Sequence, residues 1–230
     1  MDLLNQIRSA GIVGCGGAGF PTHVKLNCKA EYLLVNGAEC EPLLRTDHWL
    51  MRHRAAQIVR AVGQVGEHIG ASRLLIVLKE TYEEEIAALR AAIQAQGSPV
   101  ELFLTRNFYP AGDEQIMVCE ATGRTVPPLG IPLEVGVVVS NVGTMDRIAD
   151  AVEGKPFTHK EVTVTGAVER PVIVRAPLGT PLSACIEAAG GKQGGEPLRL
   201  LVGGPLMGTV YPLEKADELY VTKTTGGVIL

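Results

Sequence analysis

The chain has 230 residues, 46% of them hydrophobic and 20% charged, which is enough apolar material for one large domain or two small ones. Its formal net charge of −4 gives no electrostatic basis for binding nucleic acid, and no apolar run is long enough to span a membrane. The five cysteines are widely spaced and form no CxxC pair. This usage indicates a reducing, cytoplasmic compartment and no recognisable iron–sulfur or zinc site.

A helix predicted over residues 3–9 leads into a glycine-rich segment, Gly11–Thr22, in which five of twelve residues are glycine. Glycine is used where the backbone turns sharply or lies against a ligand. Backbone N–H groups of such a segment can bind a phosphate, and Lys25 adds a positive charge one turn later. The spacing matches neither GxGxxG nor GxxxxGK[ST], so a flexible loop stays open as the alternative.

The following part of the chain alternates strands and helices. The predicted strands cover 31–36, 74–78, 100–105 and 136–140, and the predicted helices cover 46–69, 81–96, a segment beginning near 113, and 145–153. Thr81 and Glu84 form a capping box for the second of these helices. The apolar stripe of the first helix leaves His48 and His53 on its surface. Such alternation is typical of a sheet with polar loops at one edge, where ligands bind.

The pattern changes after Gly154. The predicted elements are a β-hairpin with strands at 162–165 and 171–174, a helix over 180–189 and a strand over 198–202. We therefore predict an α/β domain over residues 1–155, followed by a small β-grasp domain over 156–230.

Polar residues on the predicted loops offer candidates for chemistry. Two acidic pairs occur there, Glu39 with Glu41 and Asp113 with Glu114. They suit acid–base catalysis or metal binding, but a solvated loop for the first pair and the first turn of a helix for the second are favoured. Cys15 and Cys40 lie in the same loops, where packing against a ligand is favoured over a redox role.

Four segments occur in the order found in flavin-binding subunits related to that of respiratory complex I: Gly11–Thr22, Asn36–Pro42, Tyr109–Glu114 and Asn141–Thr144. The chain resembles more closely the RnfC-type electron-transfer subunits and the PduS-type cobalamin reductases, and electron-transfer proteins associated with proline reductase are also similar. The segments Val35–Pro42, Tyr109–Glu114 and Lys223–Gly227 are the most PduS-like. The resemblance covers nearly the whole chain. It implies a complex-I-like FMN-binding α/β domain followed by an SLBB domain, a β-grasp module.

The resemblance also implies a role for individual residues. On the phosphate–ribityl side of FMN it places Gly14, Gly16 and Lys25. Along the isoalloxazine and nicotinamide region it places Asn36, Glu39 and Glu41, and on the opposite wall Tyr109, Gly112, Asp113 and Glu114. At a helix start that binds phosphate it places Asn141 and Thr144, and beside the entering nicotinamide nucleotide it places Phe20.

The function that the resemblance implies is electron transfer from NADH through FMN to an iron–sulfur or corrinoid acceptor protein. Iron–sulfur clusters are expected only in a longer chain or in a partner, because relatives continue into cysteine-rich motifs. The location implied is cytoplasmic or inside a bacterial microcompartment.

The chain departs from the complex I pattern at Cys15, where a basic residue is usual, at Ala38, where an acid is usual, and at Ser140, where an asparagine is usual. Two alternatives stay open, the second of them motivated by Cys15 and Ala38. One is an RnfC-type subunit of a membrane-associated electron-transport complex, and the other is a non-catalytic SLBB docking module.

Overall fold

The computed structural model describes residues 2–195 and 199–230, which form two compact units. The first, called here the α/β unit, comprises the chain up to Gly16, Phe20–Cys40 and Asp47–Pro156. The second, called the β-rich unit, comprises Gly17–Gly19, Glu41–Thr46 and Phe157–Leu230.

A parallel four-stranded sheet, in the order β3-β2-β1-β4, forms the centre of the α/β unit. Its strands are β1 (Tyr32–Asn36), β2 (Arg73–Lys79), β3 (Glu101–Thr105) and β4 (Val137–Asn141). The helices of this part of the chain are α1 (Leu3–Ser9), α2 (Thr22–Lys25), α3 (Thr46–His53), α4 (Ala55–Ile69), α5 (Glu83–Gln96), α6 (Glu114–Thr122) and α7 (Val142–Val152). Strands β1, β2 and β4 are continuous apolar runs because both faces of the sheet are covered, and the predicted alternation of strand and helix is confirmed.

The helix predicted over 46–69 is wrong in one respect, since it is two helices. Arg54 separates α3 from α4 with non-helical dihedrals, φ −125° and ψ 19°. Its guanidinium donates to Asp146 at 2.7 Å and to Asp150 at 2.8 Å, both on α7. The predicted apolar stripe is nevertheless buried in both helices.

Two predicted helix starts are corrected by the structure. Tyr82, which makes no side-chain cap, precedes α5, so Thr81 and Glu84 do not form the predicted capping box. A backbone turn, in which Tyr82 N donates to Lys79 O at 3.0 Å, precedes the helix, which begins at Glu83, two residues later than predicted. Helix α7 begins at Val142, three residues earlier than predicted. Among the described residues, no helix combines the length and the apolar character that crossing a membrane requires.

The β-rich unit is built on a mixed five-stranded sheet in the order β6-β5-β9-β7-β8. Its elements are β5 (His159–Thr165), β6 (Val172–Pro177), α8 (Leu182–Ala188), β7 (Arg199–Val202), β8 (Thr209–Pro212) and β9 (Gly227–Ile229). The predicted hairpin is confirmed as the antiparallel pair β5–β6, and β9 pairs parallel to β5. The predicted strand over 198–202 is seen as β7, whereas Leu198 lies outside the described residues. One face of this sheet and α8 enclose a separate apolar core.

Candidate functional site

The parallel sheet brings three of the predicted segments to its carboxyl edge. Asn36, the last residue of β1, is in register with Asn141, the last residue of β4. The segment containing Tyr109–Glu114 follows β3, which is two strands from β1 in the sheet. Ligands of open α/β sheets bind at this edge, so these segments form a candidate site.

The glycine-rich segment forms a loop whose two ends, up to Gly16 and from Phe20, belong to the α/β unit. An isolated antiparallel bridge joins Val13 to Pro21, and Gly14 N donates to Phe20 O at 2.9 Å. Gly16 is exposed, and the Phe20 side chain is 52% exposed. The ends of the segment are therefore joined by backbone contacts, and the turn between them exposes the backbone of Gly16.

This loop lies against the first turn of α7. Cys15 N donates to Thr144 Oγ1 at 3.0 Å, and Gly143 N donates to Asn141 Oδ1 at 2.8 Å. A Cβ atom on Gly16 would lie 3.4 Å from the Asn141 Cβ, so the backbone approaches closely. Thr144 is only 1% exposed. Its hydroxyl holds the loop in place, and a direct contact between Thr144 and phosphate stays a prediction.

A second contact joins the segments that follow β1 and β3. Asn36 Nδ2 donates to Gly112 O at 2.8 Å, and Gly112 N donates to Cys40 Sγ at 3.0 Å. Asn36 Oδ1 also accepts from Ala38 N at 3.0 Å. A Cβ on Gly112 would lie 2.4 Å from the Ala38 carbonyl oxygen, which only glycine avoids. We call Asn36, Cys40 and Gly112 the loop clasp.

The segment beyond the clasp presents its other side chains to solvent. Tyr109 is 66% exposed, and Asp113 and Glu114 are exposed at the start of α6. Asp113 Oδ1 accepts from two backbone amides of the first turn of α6, both at 3.0 Å, as its position at a helix start predicted. Lys25 is half-buried at the end of α2, directly after the loop closed at Pro21.

Glu39 is held through its backbone by a buried polar cluster. Its carbonyl accepts from the Tyr82 hydroxyl at 3.2 Å, and the Tyr82 ring packs 4.3 Å from the His48 ring. His48 Nδ1 lies 2.9 Å from Glu85 Oε1, which also accepts from Arg52 Nε at 2.6 Å. His48 is 7% exposed, so the prediction of a surface position was wrong: its ring fills the space between Tyr82 and Glu85.

This cluster should make stability depend on pH through Glu85. Burial disfavours its ionised form, but hydrogen bonds from its own backbone amide, from His48 and from Arg52 outweigh burial and hold the pKa of Glu85 below its ordinary value of 4.5. A lowered folded-state pKa stabilises the fold above the unfolded-state pKa, and this contribution is lost as the pH falls through the folded-state pKa.

We expect Glu85→Gln to lower the free energy of unfolding by about 1.5–3 kcal/mol at pH 7, because hydrogen bonds to a charged group are lost. The difference from the parent should shrink as the pH falls below about 4. Denaturant unfolding of both proteins at several pH values measures this difference in the free energy of unfolding. Glu84→Gln is the control, since Glu84 also pairs with Arg52 but its side chain is 74% exposed. A difference that is the same at pH 7 and pH 3 would contradict this account.

Glu41 belongs to the β-rich unit, where its carboxylate accepts from Leu206 N at 2.9 Å and from Met207 N at 2.8 Å. Gly204 lies against it, because a Cβ there would be 2.2 Å from Glu41 Oε2. Glu41 thus stabilises the turn between β7 and β8. Its predicted position along the flavin ring stays a prediction.

Two residues at the carboxyl edge have roles that no sequence pattern indicated. Asp47 Oδ2 accepts from Asn141 Nδ2 at 2.7 Å, and Tyr82 holds the Glu39 carbonyl. In the sequence, Asp47 looks like an ordinary acidic residue in the first turn of a helix. Tyr82 lies between Thr81 and Glu84, the residues of the predicted capping box. Their partners lie 94 and 43 residues away in the chain, so no local signal identifies these roles.

The cysteines and the acidic residues form no metal centre in the described part of the chain. All five cysteines are thiols, and burial raises the pKa of Cys28 and of Cys185. Over residues 2–195 and 199–230, no group of three or more His, Cys, Asp or Glu is arranged to hold a metal ion.

Comparison with known proteins matches residues 7–150 to the Nuo51 FMN-binding domain and residues 162–210 to the SLBB domain. The chain is 44% identical over 230 residues to cobalamin reductase PduS of Salmonella typhimurium, covering 100% of this chain and 49% of that protein. It is 37% identical over 234 residues to a subunit of the ion-translocating oxidoreductase complex of Rhodobacter capsulatus, covering 99% of this chain and 44% of that protein.

Among solved structures, a chain of the NAD+-reducing NiFe-hydrogenase in its H2-reduced state is similar, with a TM-score of 0.83 and 25% identity over 99% of this chain and 46% of that chain. The chain spans about half the length of the curated relatives it matches. The predicted order, a flavin-subunit-like α/β domain followed by an SLBB domain, is confirmed.

Proposed function

This chain belongs to the family of the Nuo51 FMN-binding domain, and on that premise we propose that it binds FMN at the carboxyl edge of the parallel sheet and transfers electrons from NADH to a protein acceptor. The observation that carries the proposal is the closed glycine-rich loop against the first turn of α7. That loop presents the exposed backbone of Gly16 beside Asn141 and is followed at once by α2 with Lys25.

The residues at this edge fit a flavin mononucleotide. Backbone N–H groups of a glycine-rich loop and a lysine cation suit its phosphate. Tyr109 and Phe20 are exposed aromatic side chains in a chain with only 4% aromatic residues, and planar side chains suit a flavin or nicotinamide ring. The backbone donors and the lysine therefore suit the phosphate end of FMN, and the aromatic side chains suit its ring end.

FMN, when bound, supplies hydride exchange with a nicotinamide and one-electron transfer to an acceptor. The chain's own residues bind and orient it. We assign phosphate and ribityl contacts to Gly14, Gly16 and Lys25, and ring contacts to Asn36, Glu39, Tyr109 and Gly112. We assign the nicotinamide side to Phe20, Asp113 and Glu114. No side chain has to act as a general base, so the lack of a catalytic triad signature in the sequence is no objection.

A fluorescence titration tests FMN binding directly. We expect quenching of flavin fluorescence that saturates at low micromolar protein, with a rise in the unfolding temperature of the α/β unit, because a ligand that binds only the folded state stabilises it. Unchanged flavin fluorescence at these concentrations would contradict the proposal.

Anaerobic mixing of the FMN-loaded chain with NADH tests the donor. We expect bleaching of the flavin absorbance, and we expect Glu114→Gln to slow it roughly tenfold or more while the FMN affinity stays the same, since a hydrogen bond to a charged group is lost on the nicotinamide side only. Glu120→Gln, also exposed on α6, is the matched control. Absence of bleaching would contradict the role of NADH as electron donor without contradicting FMN binding.

A second candidate function is a non-catalytic docking module. The turn between β7 and β8, fixed by Glu41, exposes Leu206 and Met207, and Val210 is exposed on β8. An apolar patch of this kind suits contact with another protein, such as the iron–sulfur or corrinoid-related acceptor predicted above. The flavin titration separates the candidates, because a docking module alone would not bind FMN at low micromolar concentration.

A further inference from the structure

The loop clasp carries an inference that goes beyond general flavin binding and rests on the proposed function. We infer that Cys40 is a positioning residue: its thiol fixes the backbone of Gly112, and thereby holds the segment Tyr109–Glu114 in the orientation that receives the flavin ring.

The clasp controls the orientation of one residue from both sides. Asn36 donates to the Gly112 carbonyl at 2.8 Å, and Cys40 accepts from the Gly112 amide at 3.0 Å. Two bonds to the same residue, one on each peptide plane, set both backbone dihedrals. Without the sulfur acceptor, only the carbonyl side of Gly112 is held by a side chain of the clasp.

Gly112 is half-buried, and the two segments joined by the clasp pack closely around it. Ala38 and Ala111 are both buried in the same apolar cluster, which presses the two segments together. The Ala38 carbonyl comes so close to Gly112 that a Cβ there would lie 2.4 Å from it. An amide that loses its acceptor in such surroundings is destabilising, so the thiol is needed for the clasped conformation.

The side chains that the clasp orients are not held by burial. Tyr109 is 66% exposed, and Glu114 is exposed too. Their directions therefore follow from the backbone between Ala111 and Asp113, and Gly112 is the centre of that backbone. Loss of the Cys40 contact should weaken binding of the flavin ring, which riboflavin and FMN share, and not binding of the phosphate.

The test compares Cys40→Ala, which removes the acceptor, with Cys40→Ser, whose hydroxyl can accept from the same amide. In the protein without FMN, amide hydrogen exchange at Gly112 should be slow in the parent and in Cys40→Ser and roughly tenfold faster in Cys40→Ala. Cys40→Ala should weaken FMN and riboflavin by the same factor, about fivefold, and Cys40→Ser should restore both. Cys119→Ala, an exposed cysteine on α6, is the matched control.

Each outcome decides the inference. Unchanged exchange at Gly112, unchanged flavin affinity, or a loss that serine does not restore would overturn it. If the parent binds no FMN, the proposed function fails, whereas the exchange measurement still tests the clasp by itself. Should Cys40→Ala not fold, Cys40→Val gives the same comparison with serine, because its slightly larger side chain leaves no cavity and accepts no hydrogen bond.

Discussion

Replacing Asp146 with asparagine is expected to lower the free energy of unfolding of the α/β unit by about 3 kcal/mol. Asp146 is 0% exposed on α7, where its carboxylate accepts from Arg54 Nε at 2.7 Å and pairs with Arg147. Removing one member of a buried ion cluster leaves the opposite charges without full compensation. The expected value lies at the low end of the range for such losses, because Asp150 still pairs with both arginines.

Denaturant unfolding followed by the fluorescence of Trp49, the single tryptophan of the chain, measures this effect within the α/β unit. Glu101→Gln is the matched control, since it removes the charge of an exposed pair with Arg73 at 3.3 Å. We expect that control to change the free energy of unfolding by less than about 1 kcal/mol. Equal midpoints for Asp146→Asn and the parent would show that the buried cluster does not stabilise the fold.

Replacing Lys25 with methionine is expected to weaken FMN roughly 10- to 150-fold and to leave riboflavin nearly unchanged. Lys25 is half-buried at the end of α2, the helix that directly follows the closed glycine-rich loop, and we propose that its ammonium group binds the phosphate that only FMN carries. A charge-assisted contact of this kind contributes about 1.5–3 kcal/mol, and methionine keeps the apolar stem of the side chain while removing the charge.

Parallel titrations with FMN and riboflavin measure the Lys25 effect. Lys29→Met is the control: Lys29 lies four residues further on, where its Nζ donates to the His68 carbonyl at 2.8 Å. We expect no change in either affinity for that variant. Equal losses of FMN and riboflavin in Lys25→Met would place the lysine away from the phosphate. A loss of affinity for FMN alone would also separate Lys25 from the clasp, for which equal losses of FMN and riboflavin are expected.

Local sequence patterns were sufficient for most of the helices and strands. The stripe containing Ile58, Val62 and Val65 is buried as its spacing predicts. Asp113 caps α6, and Gly97 ends α5 in the left-handed conformation. Each of these features depends on residues within a few positions of one another. The period of the helix decides which side chains are buried, and a capping residue bonds only to the adjacent helix turn.

The sequence alone also determined the family, because four segments occur in the order found in its members. The expectation of a flavin site follows from that family. It did not determine how those segments meet. The contacts of Gly112 with Asn36 and Cys40 join residues 76 and 72 positions apart, and the contact of Cys15 with Thr144 spans 129 positions. Only the strand order, which places β1 beside β4 and two strands from β3, creates them.

The tertiary structure also decided the positions of polar residues whose local surroundings were misleading. His48 is buried because the fold places Glu85 beside it, and Arg54 interrupts a helix while bonding to Asp146 and Asp150 on α7. A polar or charged side chain can be buried only where the fold supplies its partner. Which residue becomes that partner depends on packing between distant parts of the chain. Apolar periodicity and glycine turns, in contrast, depend only on residues that are neighbours in sequence.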